Sequence, residues 1–349
     1  MRKMDKKMNK DFWGGKRILI TGGCGFIGHN LALYLADNTD VQEIIIVDKN
    51  GGYGYTKLIN HPWYGRGKLS IIITDNNSEC VDKHLYDYTE YWRTLIISPP
   101  KKIDVFIHLA AVVGNYQFYK ENGGMVLLEN TFTDTYWIKY AIEKKIPYFF
   151  YASSSHVYGD KEYSYESSTK GENLLTYGQQ KLVGEEILLA NRSHFKGLIL
   201  ARLNGIYGEG QKYKEDSCSV LPQICHRILY NKPFLNTTGQ ETRSFLYITD
   251  AIEAILLLVE NSENCFVVQN VGSGDAYEIG VLSEKLIKIS GKTLKLEKTE
   301  KKAELMNQNC NVERLKTLGW FPKVSIDDGL KKLYEYVQER ENDEHRKNV

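Results

Sequence analysis

The chain has no C-x-x-C pair, and its 6 cysteines among 349 residues follow no regular spacing. That argues against a zinc ribbon or a disulfide framework and favours reduced thiols in a cytoplasm. No apolar run reaches membrane-spanning length, so no membrane partner is expected. The first residues are basic but lack the apolar stretch of a signal peptide. Charge of one sign is missing too: Lys+Arg is 45 against Asp+Glu 44, a net +1 that gives no reason to expect a nucleic-acid partner. Internal repeats and low-complexity segments are also absent.

What remains is the makeup of a soluble globular chain, 42% hydrophobic and 26% charged. Short apolar runs alternate with amphipathic segments. Strands are predicted at 16–21, 43–48, 69–74, 103–111, 147–153 and 197–203, with helices at 26–37, 126–145 and 177–191. The near-continuous apolar character of the strands suits parallel strands buried on both faces. The alternation predicts an α/β fold, a Rossmann doubly wound parallel sheet with a smaller C-terminal lobe for substrate. The rhythm loosens after residue 203, where helices are predicted at 221–229, 282–290 and 327–339. The expected division is a disordered tail at 1–14, a dinucleotide-binding domain at 15–203 with a return segment near 244–270, and a substrate-binding lobe at 204–243 and 271–340. Residues 339–349 read as a charged, frayed end.

Between the first strand and helix stands Thr21-Gly22-Gly23-Cys24-Gly25-Phe26-Ile27-Gly28. In such a turn Gly22 permits the tight bend, Gly25 lets backbone N–H groups approach a pyrophosphate, and Gly28 lets the helix pack closely on the sheet. Phe26 and Ile27 lie in the same stretch. Asp48 ends the second strand about twenty residues on, where a carboxylate accepts hydrogen bonds from a ribose diol and repels a 2′-phosphate, which points to NAD. Cys24 reads as a small residue filling the turn.

Tyr177-Gly-Gln-Gln-Lys181 is a Y-x-x-x-K pair. Residues four apart share a helix face, so the ammonium is expected to stand near the phenol and lower its pKa, making a base for a hydroxyl proton. Tyr53, Tyr64, Tyr116 and Tyr140 also have Lys four residues on. Only Tyr177 opens a predicted helix downstream of a serine cluster that closes a strand, Ser153-Ser154-Ser155-His156-Val157-Tyr158-Gly159.

Over nearly its whole length the chain resembles the extended short-chain dehydrogenases/reductases, the NAD-dependent epimerase/dehydratase family. The motifs are the TGxxGxxG turn, His108-Leu109-Ala110-Ala111, the serine cluster, Tyr177 with Lys181, Arg202-Leu203-Asn204-Gly205-Ile206-Tyr207-Gly208, Thr242-Arg243-Ser244-Phe245 and Leu318-Gly319-Trp320. The resemblance implies that Ser154 bonds the reacting hydroxyl, Tyr177 is the general base, and Lys181 holds the nicotinamide ribose. It implies that Leu109, Ala110, Ala111 and the adenine-contacting Asp75 face the cofactor. Gly114, Ser155, Asn204 and Arg243 would face a nucleoside-diphosphate sugar, with the diphosphate held by Asn204 and Arg243. It also implies a homodimer through the two helices at 126–145 and 177–191.

In the family's 4,6-dehydratases an Asp–Glu pair follows the catalytic Ser or Thr, and in simple C4-epimerases small residues do. Here the positions hold Ser155 and His156. The closest similarity is to GDP-mannose 3,5-epimerases, which carry a cysteine at the His156 position and a lysine in the loop matched by Lys214, or by Lys212 if the loop lengths differ. The expected function is therefore epimerisation of a GDP-hexose or GDP-heptose. C4 is oxidised to a transient ketone, an adjacent carbon is inverted by His156 and Lys214, and the ketone is reduced again. A 4,6-dehydratase, a C4-epimerase, a C4 oxidoreductase or a non-catalytic NAD-binding protein are the alternatives. His108 has no second ligand at metal spacing, so no metal is expected.

Overall fold

The computed structural model describes residues 9–49, 52–73, 102–168, 174–214 and 218–347. Asp75, expected to contact adenine, lies outside the described residues, as does the aromatic stretch from Tyr86 to Trp92.

Seven parallel strands form the central sheet: β1 (Arg17–Thr21), β2 (Glu43–Asp48), β3 (Leu69–Ile73), β4 (Val105–His108), β5 (Tyr148–Ser154), β7 (Gly197–Leu203) and β12 (Val268–Val271). Their spatial order is β12-β7-β5-β4-β1-β2-β3. The order reverses between β1 and β4, which opens a crevice at the carboxyl ends of those strands. The doubly wound parallel architecture expected from the alternation is present.

Period-two side-chain alternation sorts each strand between two cores. Ile18, Ile20, Ile44, Ile46, Val105, Ile107, Phe150 and Ile199 face one core, shared with Leu31, Leu35 and Ile255. Leu19, Ile45, Val47, Phe106, Phe149, Tyr151 and Leu200 face the other, shared with Trp137, Ile138, Ala141 and Leu188. Helices therefore cover both faces, as the unbroken apolar runs require.

The remaining strands are short. β6 (Lys161–Ser164), β10 (Thr242–Arg243), β13 (Tyr277–Glu278) and β15 (Asn307–Cys310) make a second sheet in the order β13-β10-β15-β6. β8 (Ile206–Tyr207) pairs with β11 (Leu246–Tyr247), and β9 (Phe234–Leu235) with β14 (Glu297–Lys298). The second sheet matters for function because it sets Arg243 directly opposite Gln308.

Three expectations need correction. Part of the segment expected as a 1–14 tail is ordered: a helix runs Lys10–Trp13, and Trp13 is fully buried with its indole N–H donating to Glu260 at 2.6 Å. The helix expected from 126 begins at Tyr116 and runs to Glu143, capped by Asn115, whose side chain accepts from the Phe118 N–H. A Cβ at Gly123 would stand 2.4 Å from Thr176 Oγ1, so the glycine permits close approach of two helices. At the other end the last helix runs Ile326–Lys347 in place of a frayed segment, with Glu341 buried among Lys214, Tyr230 and His226.

Candidate active site

Gly22 adopts φ 69°, a left-handed conformation that suits glycine, and a Cβ there would meet the Ala110 nitrogen at 2.8 Å. The turn after β1 thus lies against the Leu109–Ala110 backbone that follows β4. A Cβ at Gly28 would stand 2.3 Å from the Gly22 carbonyl oxygen, so the helix Phe26–Asn38 can close on the turn only without one. Gly25 is its N-cap and offers no side chain, which leaves the first backbone N–H groups open to an anion. Phe26 and Ile27 form the first turn of that helix. Asp48 is held beside the turn by the Cys24 N–H at 2.8 Å. Burial, reinforced by Asp48, pushes the Cys24 thiol up to about 12, so it remains protonated. These residues fit the diphosphate and ribose of a dinucleotide.

A buried chain of polar side chains runs from this turn to the Tyr–Lys pair. Thr21 Oγ1 meets His108 Nδ1 at 2.6 Å, and His108 Nε2 meets Asp134 Oδ1 at 3.0 Å. Asp134 also accepts from the Tyr151 hydroxyl, and from Gln180 Nε2 at 2.6 Å. Its carboxylate is held below the usual range by Lys181, His108 and Tyr151, against the effect of burial. Lys181 is itself buried, its ammonium 4.7 Å from the Tyr151 ring centre and 5.9 Å from that of Tyr177. Burial lowers its pKa, and Asp134 and Glu185 oppose that shift. Sequence reading did not find Asp134, which sits inside a helix with no local motif to mark it.

Tyr177 enters at the start of the helix Thr176–Ala190. Its hydroxyl adjoins those of Ser154 and Tyr119, and its ring stacks on that of Tyr119 at 4.5 Å with an interplanar angle of 4°. Tyr119 also accepts from the Gly114 N–H at 3.0 Å, which brings Gly114 to the same spot. The expected lowering of the Tyr177 pKa by Lys181 is not what the structure has. Burial comes first, and with Tyr119 and Asp134 it raises the phenol well above its ordinary value. Tyr119 was missed, and one more tyrosine among 24 carries no signal until the fold stacks it.

Ser154 ends β5 and caps the 3-10 turn Ser155–Tyr158, accepting from the His156 N–H at 3.2 Å. The His156 ring meets Tyr177 and Tyr119 edge-on at 5.7 and 5.9 Å. Burial, together with the nearby Arg243 charge, pushes its pKa down to about 4, so the near-neutral titration expected of it is lost. Ser155 donates to Asn204 Oδ1 at 3.2 Å, and Asn204 in turn donates to Cys310 Sγ. The Arg243 guanidinium donates to the Thr242, Met306 and Leu305 carbonyls. The fork expected to face a diphosphate is therefore turned largely onto backbone.

Ser154, Ser155, His156, Tyr177, Lys181, Asn204 and Arg243 thus come from separate strands, turns and helices into linked contacts. Lys214 goes elsewhere. It pairs with Glu341 at 2.8 Å and with Glu344, on the last helix. The expectation of a catalytic Lys214 finds no support in this placement, because two carboxylates hold the ammonium at a half-exposed surface.

A parallel sheet with a glycine turn at its switch point and a Ser–Tyr–Lys set beside it defines a nucleotide-dependent enzyme that handles hydroxyl groups. The family model described as the NAD dependent epimerase/dehydratase family matches residues 18–280, and the chain belongs to that family, whose cofactor is NAD. The chain is similar to the human dTDP-D-glucose 4,6-dehydratase, 26% identical over 97% of this chain and 95% of that one. It is similar to a putative UDP-glucose 4-epimerase of Methanocaldococcus jannaschii, 28% identical over 92% of this chain and 98% of that one. Among solved structures, UDP-glucuronic acid 4-epimerase from Bacillus cereus, in complex with UDP-glucuronic acid and NAD, shares the fold. Its TM-score is 0.76 and its identity 24%, covering 93% of this chain and 99% of that one.

Proposed function

We propose that this chain epimerises a nucleoside-diphosphate hexose at C4, by transient oxidation to a ketone and return of hydride to the opposite face. The observation that carries the reading is the Tyr177 hydroxyl adjoining Ser154, with the buried Lys181 ammonium 5.9 Å from the Tyr177 ring centre. NAD, when bound, supplies the hydride acceptor and donor. Ser154 and Tyr177 hold the reacting hydroxyl and move its proton. Lys181 offers a buried cation beside the phenol, and Asp134, held by the Thr21–His108 chain, helps keep that cation charged. Asn204 and the Arg243 charge face the diphosphate in this reading.

Inversion at a carbon beside the ketone would need acid–base groups on both faces of the sugar. His156 is uncharged near neutral pH, and Lys214 is paired with Glu341 and Glu344, which supports C4 over its neighbours. The UDP and dTDP names of the relatives favour a uracil or thymine nucleotide over guanine. The likeness to the human dehydratase supports a second reading, elimination of water after oxidation, although the Asp–Glu pair expected for it is replaced by Ser155 and His156.

The reading includes a homodimer. Met125, Leu128 and Phe132 recur at helical spacing on Tyr116–Glu143 and are more than half exposed, and Val183 and Leu189 add apolar surface on Thr176–Ala190. It keeps the cytoplasmic location expected from cysteine usage, and among the described residues no helix is long and apolar enough to cross a membrane.

The test is incubation of NAD-loaded protein in heavy water with UDP-glucose, UDP-glucuronate, dTDP-glucose and GDP-mannose. C4 epimers should interconvert with no deuterium gained, and Tyr177→Phe should lose roughly 10²–10⁴-fold in rate. Deuterium at C3 or C5 would establish adjacent-carbon inversion instead, and a 4-keto product trapped by borohydride would establish dehydration.

A further inference from the structure

Gln308 lies on β15 and, although 152 positions from His156, sets its amide Nε2 at 2.8 Å from His156 Nδ1. An amide nitrogen donates and cannot accept, so Nδ1 must present its lone pair. The single proton of a neutral imidazole then sits on Nε2. Neutrality follows from the surroundings: the ring is flanked by Tyr177 from one helix and Tyr119 from another, with the Arg243 cation near and, among the described residues, no carboxylate bonded to it. Gln308 is itself buried, and its position opposite Arg243 in the second sheet fixes where its amide can reach. The other hydrogen bonds of His156 run through its backbone, the N–H donating to Ser154 and the carbonyl accepting from Gly159, and the residue is only partly buried.

We propose that Gln308 is a positioning residue that holds His156 as its Nε2–H tautomer, so that His156 presents a hydrogen-bond donor to an oxygen of the bound sugar. The donor's target rests on the sugar-nucleotide reading above, whereas the tautomer does not. With Nδ1 occupied and Nε2 protonated, the imidazole has no free lone pair with which to take a proton from carbon. His156 then acts as a fixed donor to a hydroxyl or to the transient carbonyl oxygen, with no net proton transfer. A family position occupied in the 3,5-epimerases by a proton-carrying cysteine is here turned to orientation.

The experiment uses the full NAD-loaded chain with ¹⁵N-labelled histidine and long-range ¹H–¹⁵N correlation between pH 6 and 8. The resonances lost in His156→Gln should have the pattern of a neutral Nε2–H ring that does not shift over this range. Gln308→Met should give a mixture of tautomers. Gln308→Glu, whose carboxylate can only accept, should place a proton on Nδ1 at neutral pH. With a sugar nucleotide that turns over, Gln308→Met should lower kcat/KM about tenfold, the effect of one hydrogen bond. Gln308→Glu should make the loss depend on pH. A wild-type ring that carries its proton on Nδ1, or on both nitrogens, at pH 7 overturns the proposal, as does a Gln308→Met spectrum identical to wild type. The spectra need no substrate, so absence of turnover with every sugar nucleotide would count against the proposed function alone.

Discussion

Lowering the pH from 7 to 5 should destabilise the fold partly through His156, and the size of that loss can be worked out. In the folded chain the imidazole has a pKa of about 4, set by burial and by the Arg243 charge. In the unfolded chain it returns to about 6.5. The unfolded state therefore binds the proton first, and stability rises with pH across the window between the two values. The contribution is fully present above about pH 6.5 and is lost as pH falls toward 4. Between pH 7 and 5 the linkage amounts to about 2 kcal/mol, an upper value because the residue is only partly buried. The assay is urea unfolding of wild type and His156→Gln at both pH values, without added nucleotide. His29 and His108, also lowered by burial, contribute equally to both proteins and cancel. The variant should lose about 2 kcal/mol less than wild type on acidification. Equal losses would refute the claim that His156 is held neutral by its surroundings.

Gly28→Ala sets a Cβ 2.3 Å from the Gly22 carbonyl oxygen and 2.6 Å from the Gly23 Cα, so calorimetry should find NAD binding weakened at least tenfold, with about 1–3 kcal/mol of stability lost. Glu185→Gln breaks a buried pair in which Arg202 donates at 2.9 and 2.6 Å, and urea unfolding should show a loss of about 3–5 kcal/mol. Lys214→Ala should change kcat less than about twofold and stability by no more than about 1 kcal/mol, since its partners lie on the last helix. A hundredfold fall in kcat would restore it to catalysis. Phe132→Lys puts a charge into the exposed apolar stripe, and sedimentation equilibrium should show a dimer of the wild type turning to monomer.

Local pattern announced much of this fold. Runs such as Glu43–Asp48 and Gly197–Leu203 are apolar on both faces because two helical layers cover them, and the sequence bounds of those two strands match the structure. The glycine turn was legible because its constraints are met within eight residues: Gly28 is excluded from bearing a Cβ by Gly22 itself. Tyr177 was legible by its place at a helix start. The remaining features depend on partners far along the chain. Gly123 looks like a helix breaker until Thr176 is packed against it, and Gln308 looks like any polar residue until the second sheet lays it on His156. The sequence could place an ammonium near a phenol but could not weigh it against burial. In the folded site burial prevails, and Tyr119 with Asp134 adds to it.

The central sheet gains its strands one edge at a time in chain order and is completed only late in synthesis. On the ribosome, β7 must wait as an open edge until synthesis has passed the segment bearing Arg243 and reached Val268–Val271, its neighbour in the sheet. Trp13, which precedes every strand of the sheet, cannot meet Glu260 before that same stage. Truncation anywhere between residues 204 and 260 should therefore leave a sheet edge exposed and an indole uncovered, a species suited to chaperone capture and not to independent folding.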